Sequence, residues 1–195
     1  MHRNPVKIYI ISILVIITSI IISGPPSTAS SFPRPGEFGE NICQARLLTD
    51  GEYFEVMKEA LEGAKEEIVM SFFLFKTNGY RGSYPDMILS RLISAAKRGV
   101  RVKIILERDA NRSSMINRSN RETAERLRRG GIEVFFDSPK TTTHTKVAVI
   151  DRRYVFLGSH NLTSSALKYN NELSFVIDSP QMAREALDYV NELDR

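Results

Sequence analysis

Along residues 42 to 195 the apolar positions change rhythm repeatedly, and each change marks an element. Ile42 to Leu48 is a short strand. Phe54, Met57 and Leu61 then recur at helical spacing, and Thr49 with Glu52 forms a capping box that opens this helix, which runs through Lys65. Ile68 to Phe75 is a continuous run of apolar residues but for Ser71, the mark of a central strand buried on both faces. A loop with Gly79, Gly82 and Pro85 leads to a helix that starts at Asp86 and ends at Gly99. Val100 to Leu106 is the next strand. Ser119 with Glu122 reads as a second capping box, for a helix reaching Arg129, and Ile132 to Phe136 as another strand. A hairpin follows, then a short helix around Thr163 to Lys168 and a strand from Glu172 to Ile177. The last helix has Ser179 as N-cap and Pro180 at its first position. Strands separated by helices predict an α/β fold, with a mostly parallel or mixed sheet sandwiched by helices and a hairpin near the C-terminal third.

The front of the chain follows a different pattern. Arg3 and Lys7 precede an apolar run from Ile8 to Ile22, and Ser27-Thr28-Ala29 offers a small-residue cleavage site. As a helix that run reaches about 22 Å at ~1.5 Å per residue, short of a ~30 Å hydrocarbon core. Residues 1–23 are therefore expected to be a signal peptide or an N-terminal membrane anchor that engages the membrane or the export machinery. In both cases the folded part ends up outside the cytoplasm: periplasmic, extracellular or membrane-anchored. Residues 24–41, with Pro25, Pro26, Pro33, Pro35, Gly36 and Gly39, read as a flexible linker, and residues 42–195 as the catalytic domain.

Charge and cysteine content narrow the chemistry only slightly. A formal net charge of +4 mildly favours a phosphate-bearing partner, and the single cysteine, Cys43, leaves no internal disulfide and no cysteine-rich zinc site.

The chemistry is concentrated between Thr143 and Asn161. His144 and Lys146 are two apart, so an extended strand points both side chains the same way and Thr145 the other. Val147 to Ile150 continue the strand, Asp151-Arg152-Arg153 turns it, and Tyr154 to Leu157 return to a loop opened by Gly158. The return brings Ser159 and Asn161 back toward His144. Phosphodiester cleavage needs a nucleophile, positive donors for the phosphoryl oxygens and an acid for the leaving oxygen. A neutral imidazole can supply the first as a covalent phosphohistidine. His144 is the candidate nucleophile; Lys146, Asn161 and Ser159 are candidate oxygen donors. Glu172 is the candidate partner for the far nitrogen of His144. Asp151, on the opposite parity, is expected to be structural, pairing hairpin backbone or arginine side chains.

The arrangement His144-x-Lys146, Asp151, Gly158-Ser159-x-Asn161 resembles the signature of the phospholipase D superfamily, with every position filled, and Asn170-Asn171-Glu172 resembles its downstream acidic position. The resemblance spans roughly residues 42 to 195. It implies an α/β sandwich and a phosphohistidine mechanism, with no metal and no other cofactor. It also implies two histidines per active site. This chain has one copy of the motif and no internal repeat, so the expectation is a twofold homodimer with the active site at the axis.

Substrate is left between classes. Arg108, Arg112 and Arg118 begin a basic, asparagine- and serine-rich stretch that can follow a nucleic-acid backbone, while Glu122 with Arg126 and Glu125 with Arg129 have the spacing of helix-surface pairs. Phe72, Phe73 and Phe75 read as core rather than base-stacking surfaces. The chain resembles compact single-motif bacterial endonucleases, and also small membrane-attached members credited with cardiolipin hydrolysis. The expectations are therefore a non-specific endonuclease on DNA or RNA, a phospholipase D acting on membrane head groups, or an inactive nucleic-acid or membrane-binding module.

Overall fold

A computed structural model describes residues 43–193; the leader and linker expected over residues 1–41 lie outside the described residues. Among the described residues, seven strands form one sheet in the order β1-β7-β6-β5-β2-β3-β4. In chain order the elements are β1 (Gln44–Thr49), α1 (Gly51–Gly63), β2 (Glu67–Phe72), α2 (Tyr84–Lys97), β3 (Arg101–Leu106) and α3 (Met115–Arg129). They continue as β4 (Glu133–Phe136), β5 (Lys146–Ile150), β6 (Tyr154–Gly158), α4 (Ser164–Lys168), β7 (Leu173–Asp178) and α5 (Pro180–Val190). The sheet is mixed. Only β2, β3 and β4 run parallel, each separated from the next by a helix, and β5, β6, β7 and β1 are added antiparallel.

β2 is buried along its whole length, its apolar residues packing on both faces and Glu67 and Ser71 hydrogen-bonded where they are buried. Its side chains feed two cores. Ile68, Met70 and Phe72 pack with α1, α2, α3 and α4 through Leu61, Leu92, Leu127 and Leu167. Val69 packs on the other side with Val147, Val149, Val155 and α5. Helices thus cover both faces unequally.

Two helices begin earlier than their sequence signals suggest. α2 starts at Tyr84 because Ser83 accepts the Asp86 N–H, which puts Pro85 and Asp86 inside the first turn. α3 starts at Met115 with Ser114 as the cap, accepting the Asn117 N–H at 3.2 Å. Ser119, the expected cap, is buried inside the helix. The preceding loop satisfies its own backbone: Asp109 accepts from the Asn111 N–H, Asn111 from that of Ser113, and Asn117 Nδ2 donates back to the Asp109 and Asn111 carbonyls. At Thr49 half of the capping box forms, Glu52 Oε2 accepting the Thr49 N–H at 3.4 Å, while Asp50 takes the cap position with φ 46°.

The hairpin turn is held from outside the hairpin. Asp151 and Arg152 both have positive φ, 52° and 53°. The Asp151 carboxylate accepts the backbone N–H groups of Lys65, Glu66 and Glu67, and Arg152 Nε donates to Glu67 at 2.6 Å. The partners of the Asp151 carboxylate are thus the backbone leading into β2, where hairpin backbone or an arginine was expected.

Candidate active site

The two middle strands place the candidate groups at one end of the sheet. β5 pairs antiparallel with β2, Lys146 opposite Phe72, and the pairing extends past the strand as the Phe73 N–H donates to the Thr145 carbonyl at 2.9 Å. Ser71 and Thr145 hydroxyls meet at 2.6 Å on the opposite face. That alternation leaves His144 and Lys146 side by side. His144 is exposed, whereas Lys146 is 7% exposed.

The pair has a specific geometry. Lys146 Nζ lies 3.3 Å from both ring nitrogens of His144 and donates to the His144 carbonyl oxygen at 2.9 Å. An ammonium equidistant from both nitrogens sits across the ring and in line with neither lone pair. Phe73 completes the contact, its ring 4.5 Å from that of His144 and 5.1 Å from Lys146 Nζ. Phe73 is therefore part of the site and not of the core, while Phe72 and Phe75 are fully buried. No sequence signal reports this, since strand parity pairs Phe73 with Thr145 on the other face and the chain bends at Phe73.

The electrostatics favour a neutral imidazole. Burial, and after it the Lys146 charge, holds the His144 pKa below the usual histidine value. Burial also lowers the Lys146 pKa, while the Glu172 carboxylate acts to raise it.

Ser159, Asn161 and Glu172 occupy the neighbouring segment. Gly158 ends β6 against β7; a Cβ there would lie 2.1 Å from Ser174 Oγ and 2.4 Å from Ser174 Cα, so only glycine permits this approach. The next residues are pinned to β2's extension, the Leu162 N–H donating to the Leu74 carbonyl and the Lys76 N–H to that of Leu162. Asn161 is half-buried and its Oδ1 is buried without a hydrogen-bond donor among the described residues. The Glu172 carboxylate accepts from the Ser159 hydroxyl and from Asn170 Nδ2. Among the described residues no hydrogen bond joins it to the His144 ring, although its charge acts on the neighbouring Lys146.

His160 has a place that the motif does not reveal. It is fully buried, stacked at 4.2 Å on Tyr53, with Nδ1 2.7 Å from Ser174 Oγ and Nε2 3.0 Å from the Asp50 carbonyl. A carbonyl only accepts, so Nε2 carries the proton and Nδ1 accepts from Ser174. Asp50 in turn accepts the Glu172 N–H at 2.9 Å. The histidine thus braces the backbone that carries Ser159, Asn161 and Glu172.

The basic stretch divides. Asn117 and Asn120 are buried; Asn120 accepts the Phe75 N–H and donates to the Phe73 and Glu107 carbonyls. Arg126 is committed to Asp86 at 2.6 Å rather than to Glu122. Arg108, Arg112 and Arg121 line one open groove of about 390 Å³ with Pro139; Arg108 and Arg121 also line a second, of about 340 Å³, with Arg128 and Phe136. Arg118 is exposed but lines neither groove. Among the described residues no group of three or more potential ligands is placed to hold a metal ion.

Fold and site together define a class. Residues 57–193 match the family model described as cardiolipin synthase, PLD-like domain, and the chain belongs to the phospholipase D superfamily. It is 33% identical over 125 residues to a protein named phospholipase D from Rickettsia bellii, covering 64% of this chain and 55% of that one. It is 28% identical over 160 residues to cardiolipin synthase A from Serratia proteamaculans, covering 79% of this chain and 30% of that one. The chain thus spans about half, or less, of the length of these relatives. Among solved structures it is similar to Nuc from Salmonella typhimurium, described as a phospholipase D family member, with 25% identity, a TM-score of 0.65 and coverage of 78% of this chain and 94% of that one. NucT from Helicobacter pylori shares the fold at 20% identity and a TM-score of 0.60, with 78% and 96% covered.

Proposed function

We propose that the protein is a metal-independent phosphodiesterase that cuts DNA or RNA without strong sequence preference, acting as a twofold homodimer outside the cytoplasm. The observation that carries this reading is the His144 ring, open to solvent, with Lys146 Nζ 3.3 Å from both its nitrogens; burial and that charge favour the neutral imidazole. A ring nitrogen attacks phosphorus and forms a P–N bond as the P–O bond to the leaving group breaks. The leaving oxygen takes a proton from His144 of the partner subunit. Water then attacks the phosphohistidine, giving its proton to that same partner ring, and His144 is released. Lys146 and Asn161 hold the non-bridging oxygens during both displacements.

Two features support the homodimer. The second histidine has no counterpart in this chain, and Glu172 bonds to Ser159 and Asn170 rather than to the ring in its own chain. Leu47, Phe175 and Leu157 also form an exposed row across β1, β7 and β6, next to Leu173 and at the end of the sheet that carries Ser159. An apolar row of this kind suits a second copy.

The nucleic-acid reading rests on the Arg108, Arg112 and Arg121 groove, none of whose guanidinium groups has an ion-pair partner among the described residues. A phospholipid substrate is the second reading, favoured by the names of the matched family model and of the Rickettsia and Serratia relatives. The test is nicking of supercoiled plasmid in excess chelator, run beside head-group release from vesicles of phosphatidylethanolamine and cardiolipin. Nicking that His144→Ala abolishes supports the first reading. Head-group release without nicking replaces it with the second.

A further inference from the structure

The segment that delivers His144 is gripped by an acid pair with no part in the chemistry above. Glu107 follows β3 and Asp137 follows β4, and they are 2% and 3% exposed. β3 and β4 are parallel with Leu106 opposite Phe136, so the next residue of each brings its carboxyl beside the other, within hydrogen-bonding reach. One oxygen of each group is committed: Glu107 Oε2 accepts the Thr143 N–H at 2.6 Å, and Asp137 Oδ1 accepts the Arg108 N–H at 2.7 Å. Asp137 Oδ2 is buried with no hydrogen-bond partner among the described residues if both acids are ionised. Two buried carboxylates in contact share one proton. A protonated Glu107 donates to Asp137 Oδ2 and still accepts from Thr143 through its other oxygen, which satisfies every atom. Asn120 fixes the Glu107 backbone as well, donating to its carbonyl at 3.0 Å.

We propose that Glu107 and Asp137 are a singly protonated positioning pair that clamps Thr143 and thereby aims the adjacent His144. The inference rests on His144 being the nucleophile. The groups acting on the Glu107 carboxyl are Asp137, Asp109 and the Thr143 N–H; burial and the two neighbouring acids push it up to about 7, against the N–H. The shared proton is therefore held below that pH and lost as pH rises through it, after which two like charges face each other and the clamp loosens.

The test uses the full chain with Glu107→Ala and Glu107→Gln, the latter keeping an acceptor for Thr143 and a fixed donor for Asp137. Two quantities are read from about pH 6 to about pH 9: hydrolysis of bis(p-nitrophenyl) phosphate, and hydrogen-exchange protection of the Thr143 amide corrected for intrinsic rate. E107A is expected to lower kcat about tenfold or more at nearly constant KM, and to lose Thr143 protection. E107Q is expected to recover most of kcat and to keep Thr143 protected above the pH at which the wild type loses it. An E107A protein with wild-type kcat and protection, or an E107Q protein as impaired as E107A, overturns the proposal. If E107A does not fold, E107Q decides. Absence of hydrolysis in the wild type overturns the phosphodiesterase reading and leaves the exchange comparison to decide the clamp.

Discussion

The Nζ of Lys146 stands 3.3 Å from each ring nitrogen of His144 and 2.9 Å from its carbonyl oxygen, so the lysine is tied to the backbone of the residue it polarises. Its charge and the burial of the ring both depress the His144 pKa. In the proposed mechanism one His144 acts neutral and that of the partner subunit acts protonated, so kcat should follow a bell whose acid limb lies below 6.5, the usual histidine value. Lys146→Met removes the charge but not the burial. The acid limb should then move upward, and kcat should fall by about 10²-fold or more, the cost of losing a donor to the phosphoryl oxygens. A pH profile of bis(p-nitrophenyl) phosphate hydrolysis for both proteins checks each part; an unmoved limb would separate Lys146 from the His144 titration.

Asp151 sits at the far end of β5, about 17 Å from Lys146 at ~3.3 Å per residue. Its carboxylate accepts three backbone N–H groups and its φ is positive. Asp151→Ala loses both the acceptors and a residue type tolerant of that backbone, and should destabilise the fold by about 2–4 kcal/mol. Asp151→Asn keeps the tolerance and one acceptor oxygen and should cost about half as much. Urea unfolding midpoints give both values. Equal losses would mean that one retained oxygen and the backbone tolerance contribute nothing and that the intact carboxylate is required.

These residues also show what the sequence could carry. The period of two placed His144 and Lys146 together because strand parity is a local property, and the apolar run at Ile68 located the central strand for the same reason. The partners of Asp151 are more than eighty residues away along the chain, and no local pattern reports which backbone a carboxylate will meet. Ser119 and Ser114 are both competent caps for α3, and Asn117 bonding back into the loop decides for Ser114. Phe73 looked like core because its neighbours are. The register pairs it with Thr145, on the face away from His144, and the bend in the chain just after β2 brings its ring to His144.

His160 should make the fold sensitive to acid. Burial lowers its pKa below the usual histidine value, so between the folded and unfolded values the unfolded chain binds a proton that the folded chain excludes. Stability is then present above the unfolded value and lost as pH falls below about 6.5, at ~1.4 kcal/mol for each pH unit that separates the two values. Glu107 contributes the opposite slope over an overlapping range, so the difference between proteins is the informative quantity. His160→Gln, measured by urea unfolding at about pH 5 and about pH 7.5, should show a smaller acid loss than the wild type; an identical loss would assign the sensitivity elsewhere.

The arginines near the site should not be equivalent. Arg108 and Arg121 line both grooves beyond β3, whereas Arg118 lines neither. A strand laid through those grooves contacts the first two through its phosphates. Each lost contact should then reduce the dependence of log K on log salt by about 0.7 for a single strand. Binding of a fluorescent oligonucleotide across a salt series, using Arg108→Ala, Arg121→Ala and Arg118→Ala in a His144→Ala background to prevent cleavage, measures those slopes. The first two substitutions should flatten the slope and weaken binding uniformly across sequences, and the third should leave both unchanged. Three equal slopes would mean that the positive charge acts as a diffuse field and that the grooves do not guide the strand.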